Sequence, residues 1–198
     1  MNVIQHYDKL IDDDNDPFRD PPVLQDYMEK WDGKLFIDSM ALDKTKRVLE
    51  IGVGTGRIAQ KVAPNCLSFT GIDISPKTIE RAKENLRSFN NISLICADFT
   101  EWESELIFDV IYSSLTLLHF EDKQGFLSKV ETLLDNNGLF CLSIDKSQDL
   151  FLDMQDYKIR VFPDTLENTI SLIESTQLCV ENTYEKEFAH IIICRKEH

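Results

Sequence analysis

No run in this chain of 198 residues approaches the ~20 consecutive apolar residues that a bilayer-spanning helix needs. Membrane partnership is therefore not expected. Cysteine pairing is missing too: Cys66, Cys96, Cys141, Cys179 and Cys194 are scattered, with no C-x-x-C pair and no neighbouring histidines. That argues against a metal site or a disulfide framework, and the five read as reduced, mostly buried small hydrophobes. The opening Met1-Asn2-Val3-Ile4-Gln5-His6 lacks a basic region followed by an apolar core, so the expected compartment is the cytoplasm. Positive charge is scarce, with 21 Lys and Arg against 35 Asp and Glu and a formal net charge of −14. With acidic residues gathered at Asp12, Asp13, Asp14, Asp16 and Asp20, no basic stripe is left to displace counterions from a phosphate backbone, and nucleic acid is not expected as the main partner. Repeats and low-complexity tracts are likewise absent.

What is present is alternation. Apolar runs at Arg47–Ile51, Leu67–Asp73, Ile92–Cys96, Phe108–Ser113 and Leu139–Ile144 read as strands, and helical patterns lie between most of them. One helix covers roughly 56–63 and stops near Pro64. A second has Ser75 as N-cap, Pro76 at its first position and Ile79, Ala82, Leu86 and Phe89 on one face. A third runs from about Glu121 to Leu134, and a fourth starts at Asp164-Thr165. Leu178–Tyr184 and Phe188–Cys194 follow as a hairpin. Such alternation predicts an α/β fold with a mainly parallel sheet buried on both faces. With 42% apolar residues, the chain can bury one substantial core.

The stretch Val48-Leu49-Glu50-Ile51-Gly52-Val53-Gly54-Thr55-Gly56-Arg57 carries the most chemistry. Glycines at a strand-to-helix turn accept positive φ and let a ligand approach the backbone, while free N–H groups at the helix start point at it. A dinucleotide fingerprint would place its third glycine at position 57, which is Arg57, and no Gly-Lys-Ser or Gly-Lys-Thr follows for a P-loop. What remains is an acidic residue followed by Gly-x-Gly-x-Gly. This resembles the first motif of the class I S-adenosylmethionine-dependent methyltransferases. Gly71-Ile72-Asp73-Ile74-Ser75 is similar to that family's second motif. Asp98-Phe99 resembles the pair that meets adenine, and Phe108 to His119 resembles the fourth motif.

The resemblance implies a Rossmann-like sheet of seven mostly parallel strands, with helices on both faces and a C-terminal antiparallel hairpin. It also implies S-adenosyl-L-methionine as cofactor. Gly52, Gly54 and Gly56 would cradle it, with Asp73 at the ribose and Ile74 beside it among the cofactor-binding residues. Asp98 and Phe99 would meet the adenine, Glu50 the ammonium end, and Ser113, Ser114 and Leu115 the methionine portion through backbone groups. His119 is the candidate base, against the alternative of a structural hydrogen-bonder. His6 and Tyr7 are candidates for contacts from a folded-over lid. No metal is implied.

The implied reaction is methyl transfer to a small-molecule acceptor by in-line displacement. The alternative is a non-catalytic S-adenosylmethionine-binding regulatory or partner protein. A nicotinamide-dependent oxidoreductase is the fold-level rival. The absence of Asn-Pro-Pro-Tyr or Asp-Pro-Pro-Tyr after the fourth strand argues against enzymes methylating amino groups of nucleic-acid bases or glutamine amides. Asn136-Asn137-Gly138 stands where Pro-Gly-Gly is common, a change a turn tolerates. Residues 1–46 are expected to form a cap, with one amphipathic helix from about Val23 to Met40, and 47–198 the methyltransferase domain. Within that domain, 146–162 reads as a substrate-side insertion with a short extra strand. Neither the acceptor nor the oligomeric state is legible.

Overall fold

Arg47–Ile51 forms a strand whose last four residues are buried, as expected for a strand covered on both faces. Around it, a computed structural model describes residues 1–154 and 156–197. In chain order the elements are α1 (Val3–Asp12), α2 (Pro22–Met28), α3 (Gly33–Asp38), β1 (Arg47–Ile51), α4 (Ala59–Val62), β2 (Ser68–Asp73), α5 (Pro76–Asn85), β3 (Ile92–Cys96) and β4 (Phe108–Ser114). They continue with α6 (Lys123–Leu133), β5 (Leu134–Asp145), β6 (Phe151–Asp153), β7 (Lys158–Arg160), α7 (Leu166–Glu174), β8 (Leu178–Glu185) and β9 (Ala189–Lys196).

Seven strands form one sheet in the order β3-β2-β1-β4-β5-β9-β8. The pairs from β3 to β5 are parallel, and β9 runs antiparallel to both β5 and β8. This is the Rossmann-like arrangement expected. Successive residues of β1 point to opposite faces, so Val48 joins Phe36, Tyr112 and Ile191 on one side while Leu49 joins Phe126, Phe140 and Ile192 on the other. Each large side chain taken fully out of water contributes about 1.5–3 kcal/mol. The strand order reverses between β1 and β4, which opens a crevice beyond their carboxyl ends. Among the described residues no helix is long and apolar enough to cross a membrane.

Several expectations need correction. The single helix from Val23 to Met40 is two short helices, broken where Gly33 takes φ +76° and Asp32 turns its carboxylate inward. α1 was not anticipated, although Asn2 and Gln5 form a complete capping box at its start. β5 begins at Leu134 rather than Leu139, because Asn136-Asn137-Gly138 sits inside an irregular strand start opposite a register shift between Phe108 and Val110. The extra strand in 146–162 is a two-stranded hairpin of β6 and β7.

The acidic N-terminal stretch is tied down. Asp8 accepts from the Ser75 hydroxyl at 2.7 Å and from the Lys77 amide at 3.3 Å, at the start of α5. Asp12 pairs with Lys77 at 2.6 Å. Asp16, only 6% exposed, accepts from Arg81 and Asn85, each at 3.2 Å. The exposed pair with Lys77 contributes little, because solvent screens it. Together these contacts hold α1 and the following loop against α5.

Candidate functional site

A cavity of about 310 Å³ lies beyond the carboxyl ends of β1, β2 and β4. Its floor is the glycine turn. Gly52 and Gly54 take φ of +79° and +55°, conformations that cost an L-residue with a side chain about 1–2 kcal/mol. Around Gly52 there is no room, since a Cβ would stand 2.1 Å from Thr116 Oγ1. Gly54 is the opposite case: it lines the cavity, and a Cβ there would meet no heavy atom within 4 Å. That face is open to whatever enters the cavity. Gly56 does not line the cavity; its Cβ would lie 2.8 Å from Leu86 Cδ1, so this glycine serves packing against α5.

Asp73 ends β2 beside the turn. Its Oδ2 accepts from the Gly54 amide and its Oδ1 from the Ser75 amide, each at 3.0 Å. Burial pushes its pKa up, and the backbone N–H groups partly offset this. Neighbouring Ile74 also lines the cavity. Glu50, 3% exposed, accepts from the Tyr112 hydroxyl at 2.7 Å. Burial raises its pKa well above the ordinary carboxylate range, against the pull of Tyr112 and Arg57.

Asp98 follows β3, and its Oδ1 accepts from the Thr100 amide at 2.8 Å and hydroxyl at 2.7 Å. Phe99 is buried, with its ring 5.1 Å from that of Phe126. Both reach the cavity wall. At the end of β4 the expected serines part company. Ser113 is fully buried, bonds the Ile51 carbonyl at 3.1 Å and does not line the cavity, whereas Ser114 and Leu115 do. Leu115 holds φ +56°, a left-handed conformation of the kind found at ligand sites.

Residues from the N-terminal segment form the roof: Val3, Tyr7, Pro17 and Met28. The Tyr7 hydroxyl lies 2.7 Å from His119 Nε2, and His119 Nδ1 is buried without a hydrogen-bond partner among the described residues. Burial pushes His119 down to about 4, so its imidazole is neutral at pH 7. His6 sits outside the cavity lining and meets the Tyr157 hydroxyl at 3.0 Å.

Sequence reasoning missed two residues. Arg57, read only as the position that spoils a dinucleotide spacing, lines the cavity. Asp32 accepts from both Nη atoms of Arg57 and, at 2.9 Å, from the Ser114 hydroxyl. An aspartate before a glycine is a modest sign of a chain break, but nothing local joins position 32 to position 57. Among the described residues no cluster of three or more His, Cys, Asp or Glu is arranged to hold a metal.

The donor and acceptor set suits an adenosine carrying an amino-acid end. Asp73 and Asp98 offer acceptors spaced along the strand ends, Gly54 leaves an open cradle, and the remaining charges gather near Glu50 and Arg57.

Comparison with known proteins agrees. The family described as "Methyltransferase domain" matches residues 42–192. Malonyl-[acyl-carrier protein] O-methyltransferase 1 of Ilyobacter polytropus is 33% identical over 103 residues, covering 50% of this chain and 38% of its own length. Nodulation protein S of Sinorhizobium fredii is 28% identical over 96 residues, covering 48% of this chain and 44% of its own. The matched part of the chain thus spans less than half the length of these two curated relatives. In fold, the chain is similar to the N-methyltransferase NodS from Bradyrhizobium japonicum WM9 in complex with S-adenosyl-l-homocysteine, with a TM-score of 0.79 at 20% identity over the full length of both chains.

Proposed function

Since the chain belongs to the class I S-adenosylmethionine-dependent methyltransferase family, we propose that it transfers the methyl group of S-adenosyl-L-methionine to a small-molecule acceptor by in-line displacement, releasing S-adenosylhomocysteine. The observation that carries this reading is the roofed cavity of about 310 Å³, floored by an open glycine and flanked by two aspartates at successive strand ends.

When bound, the cofactor supplies an electrophilic methyl group on a sulfonium. The tasks of the protein are to bind, orient and exclude water. Asp73 has lone pairs to spare beyond its two backbone N–H partners, and these suit a pair of ribose hydroxyls. Asp98 and Phe99 are proposed for the adenine, Glu50 for the ammonium end, and the backbone at Ser114 and Leu115 for the methionine portion. Gly56 and Ser113 act behind the site, through packing and through the bond to Ile51. Holding acceptor and methyl collinear can lower a barrier by ~7–11 kcal/mol at best. That makes a dedicated nucleophile unnecessary.

His119 is proposed as a group that receives a proton only by way of Tyr7, because the Tyr7 hydroxyl occupies Nε2 and Nδ1 is buried. A second cavity of about 50 Å³ lies beyond Leu115, which lines both cavities. Its small size suits a small acceptor group or the tip of a larger one. The net charge of −14 supports the same choice against nucleic acid.

The test is transfer of radiolabel from methyl-labelled S-adenosylmethionine to panels of low-molecular-weight amines, alcohols and thiols, run beside RNA and protein acceptors. Label in a small acceptor supports the proposal. Label only in macromolecules, or none in any acceptor by a protein that binds S-adenosylhomocysteine, contradicts it and favours the macromolecular or non-catalytic reading.

A further inference from the structure

Among the described residues lining the larger cavity, Arg57 is the one lysine or arginine. It is held in place by Asp32, a 3%-exposed residue from outside the matched span 42–192. Asp32 is itself fixed by the Ser114 hydroxyl at 2.9 Å and the Gly33 amide at 2.6 Å.

A guanidinium has five N–H donors. Asp32 takes one from Nη1 and one from Nη2, and no further acceptor for the Arg57 side chain occurs among the described residues. The side chain is only 13% exposed. A mostly buried guanidinium held by one carboxylate, with N–H donors unspent in a residue that lines the cavity, is placed to meet an acceptor on a ligand.

The surroundings narrow the choice. Glu50, with its buried carboxyl group, is close enough to Arg57 for the two to influence each other electrostatically. A purely anionic group would face Glu50 and Asp32, and a purely cationic one would face Arg57. A zwitterion meets both, with its carboxylate on the guanidinium and its ammonium toward Glu50. Arginine suits the first task, since its planar fork matches a carboxylate.

We infer that Arg57 binds the α-carboxylate at the methionyl end of the cofactor, with Asp32 as the positioning residue that aims the guanidinium. The inference rests on the cofactor reading above. It assigns the N-terminal segment a part in cofactor binding, through a side chain that never touches the ligand.

The experiment compares two ligands. S-adenosylhomocysteine carries the amino-acid end; 5′-methylthioadenosine keeps the adenosine and sulfur without it. Arg57→Gln should weaken the first by about 10- to 100-fold and leave the second unchanged. Arg57→Lys should fall between, and Asp32→Asn should shift S-adenosylhomocysteine in the same direction by less. Because Gln at 57 leaves Asp32 as an uncompensated buried charge, the double variant Asp32→Asn/Arg57→Gln repeats the test without that burden. Equal loss of both ligands in the double variant, or unchanged affinity for S-adenosylhomocysteine, overturns the inference. A wild-type protein that binds neither ligand overturns the cofactor reading itself, a distinguishable result.

Discussion

Tyr7 and His119, which are 112 positions apart, meet at 2.7 Å across the mouth of the large cavity. One comes from the first helix and the other from the loop after β4, so this hydrogen bond fastens the N-terminal segment over the strand ends. Tyr7→Phe removes it and leaves both ring nitrogens of His119 without partners. The expected result is a loss of stability of about 1–2 kcal/mol and faster release of S-adenosylhomocysteine in stopped-flow measurements. An unchanged release rate would show that this contact does not control access.

His119 also predicts a pH dependence. Its folded-state pKa of about 4 lies below the ordinary histidine value of 6.5, so the unfolded chain binds more protons between those values. Stability therefore rises with pH through that window, and the His119 contribution is a penalty that grows as pH falls from about 6.5 to 4 and reaches about 3 kcal/mol. Chemical denaturation of wild type and His119→Gln at several pH values checks this. The difference between the two should change inside the window and be flat above it.

The glycines separate binding from packing. Gly54→Ala places a methyl group in the open cradle at φ +55°, costing about 1 kcal/mol of stability but most of the cofactor affinity. Gly56→Ala drives a methyl group to 2.8 Å from Leu86 Cδ1 and should lower the melting temperature without obstructing the cavity. Thermal melts paired with ligand titration distinguish them, and the reverse pattern would exchange their roles.

Asp73 has protein partners as well as proposed ligand partners. Because the Gly54 and Ser75 amides both donate to it, Asp73→Ala should destabilise the turn by about 1–3 kcal/mol. Asp73→Asn keeps one acceptor oxygen and is the cleaner probe. It should retain native circular dichroism and weaken S-adenosylhomocysteine binding at least tenfold, about 1.4 kcal/mol; unchanged affinity would remove Asp73 from the site.

The legible parts were those encoded locally. Strand β1, the glycine turn, Asp73 and the Ser75-Pro76 start of α5 follow one another closely, and each is set by backbone chemistry that nearby residues reveal. The roof was not legible, because the Tyr7–His119 and Asp32–Arg57 contacts depend on where the N-terminal segment packs. The helical pattern from Val23 to Met40 misled for a related reason. Asp32 gains more by turning in toward Arg57, Ser114 and the Gly33 amide than by continuing a helix. Asp16 shows the same effect: it belongs to an acidic stretch in which nothing local reveals its distant partners, yet it is buried on Arg81 and Asn85.

Calorimetric titration of the protein with S-adenosylhomocysteine tests the central assignment most directly, because it needs no knowledge of the acceptor. The account predicts saturable binding at one site, lost in Gly54→Val with the fold intact. Absence of binding to the folded wild-type protein, or undiminished binding by Gly54→Val, would contradict it.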